Sequence, residues 1–244
     1  MRSRLRPIAA ALLTAAAAVG ALSACDLGPM KKSEDDATVS RKISAIRVDG
    51  DSGAITLHGK PGTTGAELHR TVHYRDDLPD GPTHRVENGV LVLGGCGEDC
   101  SVDYEVTVPA GIPVSGGTSS GSLDLEGVGA THVKSSSGAI ELTDVAGPVD
   151  VESTSGAVKA HDLKSGPIKA KATSGALDLT LASPQDVDAE TSSGSLTITA
   201  PAGPYRVTAD TDSGSKNISV PQSPSAPHHL NLTTSSGALK VRNG

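Results

Sequence analysis

The sequence holds 244 residues, with 21 Lys and Arg against 28 Asp and Glu and a formal charge of −7. Phe and Trp are absent and Tyr74, Tyr104 and Tyr205 are the only aromatics, so an aromatic-lined pocket for a sugar or other small molecule is not expected. An acidic chain without a basic patch argues against nucleic acid as a partner, and the core has to be filled with Val, Ile, Leu and Ala.

Residues 1–24 have the grammar of an export signal. Arg2, Arg4 and Arg6 precede the apolar run IAAALLTAAAAVGAL, whose 15 residues are too few for a membrane span. The segment ends in Leu22-Ser23-Ala24-Cys25, which resembles the bacterial lipobox. That resemblance implies cleavage before Cys25 and a diacylglyceryl thioether on its sulfur, so that lipid would tether the mature chain to a membrane on its extracytoplasmic side. The plainer alternative is an ordinary export signal with an incidental Cys. Loss of the three arginines leaves 18 basic against 28 acidic side chains, a charge of −10. Residues 25–40 continue as CDLGPMKKSEDDATVS, a polar stretch after the Cys that is expected to be a flexible linker. Asp26 would matter only in a two-membrane cell, where it resembles an inner-membrane retention signal.

Residues 41–116 read as irregular β structure with a cap. Strands are expected over Lys42–Val48, Ala54–His58, Glu67–Tyr74, Val90–Gly94 and Ser101–Val108, with RDDLPDGPTHR (75–85) as a loop. Cys96 and Cys100, in GGCGEDC, are expected to form a local disulfide outside the cytoplasm. Half of a metal site is the alternative, but no second Cys pair exists and no His is close in sequence. His69 and His73 would share a strand face about 13 Å apart, too far to chelate one ion. His228 and His229 read as surface residues. The acidic stretches lack calcium-loop spacing, and no Gly-rich loop with Lys follows a strand. Neither a metal nor a cofactor is expected.

Residues 117–244 are repetitive. TSSGSLDL, SSSGAIEL, STSGAVKA, KATSGALDL, TSSGSLTI, TDSGSKNI and TSSGALKV carry glycines at Gly121, Gly138, Gly156, Gly175, Gly194, Gly214 and Gly237, in steps of 17 to 23 residues, and DSGAITL adds Gly53. Alternating apolar residues flank each corner, the pattern of a strand entering and a strand leaving. The expected fold is all-β: a parallel β-solenoid of about seven regular coils of 17–23 residues after a less regular N-terminal β region. Stacked corners would set Ser and Thr into a hydroxyl ladder, and Leu, Val and Ile into aliphatic columns. The corner glycines are expected to supply positive φ. AGPV (146–149), SGPI (165–168) and AGPY (202–205) mark the opposite corners.

With SGAITL, DCSVDYEVTVPAGIPV and the serial TSSGxLxL coils, the chain resembles the bacterial adhesin-like, domain-of-unknown-function family of β-strand-repeat envelope proteins across residues 40–244. The resemblance implies a right-handed parallel solenoid at the cell surface. No activity is established for that family, so no catalytic residue carries over. GTSSG (117–121) fits the serine-hydrolase elbow, but an elbow needs a helix after the serine. Here the stretch after Ser119 alternates as a strand, and six other corners repeat the motif. Asp124, Glu126, Glu141 and Asp178 could project from one face, as polysaccharide chemistry would require. However, Lys159, Thr197 and Lys240 fall in the same column, as on a solvated face. The reading is a non-enzymatic, lipid-anchored surface interaction module that meets a cell-wall polymer or an envelope protein. An accessory in envelope-stress sensing and a wall-polysaccharide enzyme are the alternatives.

Overall fold

The computed structural model describes residues 29–244; the export signal and Cys25 lie outside the described residues. Every regular element among them is a strand. The first seven are β1 (Lys31–Val39), β2 (Ala45–Gly50), β3 (Ile55–Lys60), β4 (Ala66–Tyr74), β5 (His84–Glu87), β6 (Val90–Gly94) and β7 (Cys100–Pro109). Seven two-strand coils follow. They are β8 (Val114–Thr118) with β9 (Leu123–Glu126), β10 (Thr131–Ser135) with β11 (Ile140–Thr143), and β12 (Val149–Ser153) with β13 (Val158–Leu163). Next come β14 (Ile168–Ala172) with β15 (Leu177–Leu181), and β16 (Val187–Ser193) with β17 (Leu196–Ala200). The last two are β18 (Arg206–Ser213) with β19 (Lys216–Ile218), and β20 (His229–Ser236) with β21 (Leu239–Asn243).

Each coil gives one strand to each of two sheets. Sheet A has eleven strands in the order β1-β4-β7-β3-β9-β11-β13-β15-β17-β21-β19, and sheet B has ten in the order β18-β20-β16-β14-β12-β10-β8-β2-β6-β5. The coils pair in parallel, as a β-solenoid requires. Period-two alternation sends every second side chain into the narrow space between the sheets. Ile55, Leu123, Ile140, Val158, Leu177, Leu196 and Leu239 form one buried column of sheet A, and Leu57, Leu125, Leu142, Ala160, Leu179, Ile198 and Val241 form the next. Each fully buried Val, Leu or Ile is worth about 1.5–3 kcal/mol. Such columns need no aromatic bulk.

Three features depart from the sequence expectations. Residues 31–39 are not a flexible linker: they form β1, antiparallel to β4 from Lys31 opposite Tyr74 to Val39 opposite Ala66. The pairing is anchored by Arg70 of β4, whose Nε donates to Asp35 Oδ1 at 3.0 Å. The coils are also not stacked in simple serial order, because β20–β21 inserts between the coils β16–β17 and β18–β19. At the other end β2–β3 sits between β6–β7 and β8–β9.

The third departure concerns the corners. Gly121, Gly138, Gly156, Gly175, Gly194 and Gly214 do not have positive φ; of the eight corner glycines only Gly53 (109°) and Gly237 (157°) do. Instead, successive corners touch. A Cβ added to Gly138 would meet Gly121 O at 1.7 Å, one on Gly156 would meet Gly138 O at 1.9 Å, and one on Gly175 would meet Gly156 O at 2.0 Å. Ladder bonds continue round the bend, from Ser137 N to Ser119 O at 3.0 Å and from Ser155 N to Ser136 O at 2.9 Å. In the first three regular coils the hydroxyl three residues before the glycine, on Thr118, Ser135 or Ser153, closes the turn from inside. Ser135 Oγ accepts from Gly138 N, and Ser153 Oγ accepts from Gly156 N, both at 2.9 Å.

Candidate functional site

Outward side chains of sheet B fall into two columns, because parallel pairing keeps each position in step from coil to coil. From β8 to β16 the first column reads Ser115, His132, Asp150, Lys169, Asp188 and the second Gly117, Lys134, Glu152, Lys171, Glu190. From Asp150 onward in the first column, and from Lys134 onward in the second, the charge changes sign at every step. Lys134 Nζ reaches Glu152 at 2.8 Å, His132 Nδ1 reaches Asp150 at 3.2 Å and Lys171 Nζ reaches Glu190 at 3.3 Å. The Lys134 ammonium holds the Glu152 carboxyl below its ordinary range. Exposed pairs of this kind are worth under about 1 kcal/mol each, so their main effect is on register and surface pattern.

The columns are interrupted at β8. Gly117 presents no side chain, and a Cβ there would meet Lys134 O at 2.4 Å; Gly116, at φ 108°, would put a Cβ 1.9 Å from Val48 O. Bare backbone therefore lies between Asp49 of β2 and Lys134 of β10. It opens a trough of about 840 Å³ that passes the hydroxyls of Ser119, Ser136, Thr154 and Thr173 and reaches Lys171. From β2 to β14 it crosses four inter-strand spacings, about 19 Å. A second trough of about 580 Å³ follows the opposite corners along Pro113, Ala130, Pro148 and Pro167. The charged columns thus stand between a hydroxyl-lined trough and a proline-lined one. Together these surfaces can hydrogen-bond and pair charges of both signs along an extended chain.

Ser119 sits in the hydroxyl row, exposed at the first regular corner. His132 is in register with Ser115, four residues from Ser119, or about 13 Å along the strand. Ser115, His132 and Asp150 do fall in one row. The Ser115 hydroxyl, however, donates to Ile46 O at 3.4 Å, so the row lacks the serine–histidine bond that defines a triad.

The acids of sheet A lie on its outer face in the column Asp124, Glu141, Lys159, Asp178, Thr197, Lys240, while Glu126 stands two residues after Asp124 on the same face, paired with His58 at 2.9 Å. Burial and the neighbouring Glu141 raise the pKa of Asp124. His69 and His73 have separate partners, Asp36 at 2.8 Å and Asp103 at 3.2 Å. His228, just before β20, and His229, its first residue, both face Asp186, each at 3.3 Å, from partly exposed positions. Cys96 and Cys100 are joined in a disulfide, with Cα atoms 5.9 Å apart, where the β6–β7 coil turns from sheet B to sheet A. The sequence reading passed over Gly116-Gly117 as site residues. The available signal was Ser115 and Gly117 occupying positions where later coils carry charges, with Gly116 between them where later coils carry Val or Ala.

The family model described as Toastrack DUF4097 matches residues 114–242, more than half of the chain. The chain belongs to the Toastrack DUF4097 family. No protein of curated function matches the sequence. Among solved structures, a candidate adhesin from Bacteroides fragilis NCTC 9343 aligns with a TM-score of 0.50 and 14% identity, covering 88% of this chain and 97% of that one. A candidate adhesin from Parabacteroides merdae ATCC 43184 aligns with a TM-score of 0.48 and 14% identity, over 86% and 96% of the two chains. At such identity the Bacteroides likeness extends to the fold of this Toastrack protein and no further. The matched segment begins at β8, where the bare backbone lies.

Proposed function

We propose that this Toastrack protein is a lipid-anchored, non-enzymatic interaction module of the cell envelope, with sheet B as its contact face. The supporting observation is the hydroxyl-lined trough beside alternating charges, which runs along the stack and is open at the bare backbone of Gly116 and Gly117. Its occupant is an extended wall polymer or a segment of an envelope protein, carrying polar groups of both signs. The adhesin name of the Bacteroides fragilis neighbour accords with a surface role, and the lipobox-like segment ending at Cys25 supplies the anchor.

The test is binding of purified residues 26–244 to wall fractions and detergent-extracted envelope proteins. Ser115→Arg places a long side chain over the bare backbone from an exposed position and should leave the fold intact. Wild type is expected to be retained, and Ser115→Arg to lose about tenfold in affinity, which corresponds to 1.4 kcal/mol. Retention of neither protein, or equal retention of both, would sink the assignment of this face.

A further inference from the structure

Met30 and Leu78 are the exposed large apolar side chains among the described residues, at 49% and 48%; Met30 immediately precedes β1 and Leu78 follows the end of β4 by four residues, so both flank the corner where those two strand ends meet. The corner is fixed by the first rung of the β1–β4 ladder, where Lys31 lies opposite Tyr74. Arg75 Nη2 approaches Met30 Sδ at 4.0 Å. Lys31 Nζ donates to Asp76 O at 2.6 Å and sits 5.8 Å above the Tyr74 ring. Leu78 stands in the loop that leaves this rung. The nearby charges do not form a basic patch: Lys31, Lys32 and Arg75 stand against Glu34, Asp76, Asp77 and Asp80.

Met30 comes five residues after Cys25. Five extended residues span at most about 18 Å. The pairing of β1 therefore shortens the expected tether, and a lipid on Cys25 would hold this corner within about 18 Å of the bilayer. At the far edge of sheet A, β19 lies ten inter-strand spacings away, about 48 Å.

We propose that this corner is a membrane seat, with Met30 and Leu78 entering the boundary between headgroups and acyl chains of the bilayer that carries Cys25. The proposal rests on the lipid anchor of the preceding section. Because the corner has no excess of basic side chains, the contact depends on apolar area and not on anionic lipid. Two side chains alone bind weakly, but a short tether raises their effective concentration to the millimolar range.

The absence of Trp makes the test direct. A chain beginning at Cys25, with its disulfide intact, is coupled through Cys25 to a maleimide lipid in phosphatidylcholine vesicles. Leu78→Trp should emit at shorter wavelength than the uncoupled protein and be quenched by brominated acyl chains, and adding Met30→Ser should weaken the quenching. Asn217→Trp, at the far edge, should be unquenched. Water-like emission from Leu78→Trp on the vesicles, equal quenching at both positions, or quenching only when anionic lipid is present would overturn the seat. Palmitate labelling of cells producing wild type and Cys25→Ser tests the anchor separately. If the label is absent from wild type, the anchor falls and takes the seat with it, whereas a Cys25-dependent label with an unquenched Leu78→Trp rejects the seat alone.

Discussion

At the scale of single residues, the corner glycines are set by contact between successive turns of backbone. Gly156→Ala drives a methyl against Gly138 O at 1.9 Å, an atom held by the ladder, so the stack itself must shift. We expect a loss of about 1–3 kcal/mol, against under about 0.5 kcal/mol for the exposed neighbour Ser155→Ala; urea unfolding of both variants compares them. Asp35 offers a pH test. The hydrogen bonds from Arg70 hold its carboxyl below the ordinary range, so its contribution is present at neutral pH and lost as pH falls below about 4. Asp35→Asn should lower stability at pH 7 and flatten the acid limb of a stability–pH curve. An unchanged limb would remove Asp35 from the account of β1 docking.

At the scale of the element, the coil closes through the hydroxyl three residues before its glycine. Ser153→Ala removes the bond to Gly156 N and should cost about 1 kcal/mol in thermal or urea unfolding. Ala172 already lacks that hydroxyl, in the coil of Gly175, so the bond is helpful without being obligatory. The coil was legible because its apolar alternation and corner recur together: Asp124, Glu141, Lys159 and Asp178 stand in the column their spacing implied. What could not be read depended on distance. A recurring corner glycine serves a left-handed turn or a close stack equally well in sequence, and only the carbonyl of the neighbouring coil separates the two. The strand β1 was hidden because KKSEDDATV has no apolar stripe; it is an edge strand held by ion pairs and ladder bonds. The trough was hidden because its defining feature is the missing side chain at Gly117.

At the scale of the whole molecule, polar residues close both ends of the core. In the column that runs Leu177, Leu196 and Leu239, the last coil carries Lys216, whose Nζ crosses the open end to Ala209 O at 2.8 Å. At the other end Arg70 takes an inward position on β4 between Leu68 and Val72, and donates to Thr83 Oγ1 at 3.1 Å. Charges at an edge discourage pairing with other chains. Lys216→Leu should therefore let two copies meet end to end, seen as concentration-dependent dimer in sedimentation velocity, while a strictly monomeric variant would show that Lys216 is not the stop. The displaced order of the final coils has a consequence for biogenesis. The coil at the tip, β18–β19, is made before the coil on which it rests, so the stack cannot finish in the order of synthesis. Until β20 and β21 arrive, β18 and β19 have no seat, and β16 and β17 offer bare edges. A premature stop after Ser219 would spare the tip and delete the layer beneath it.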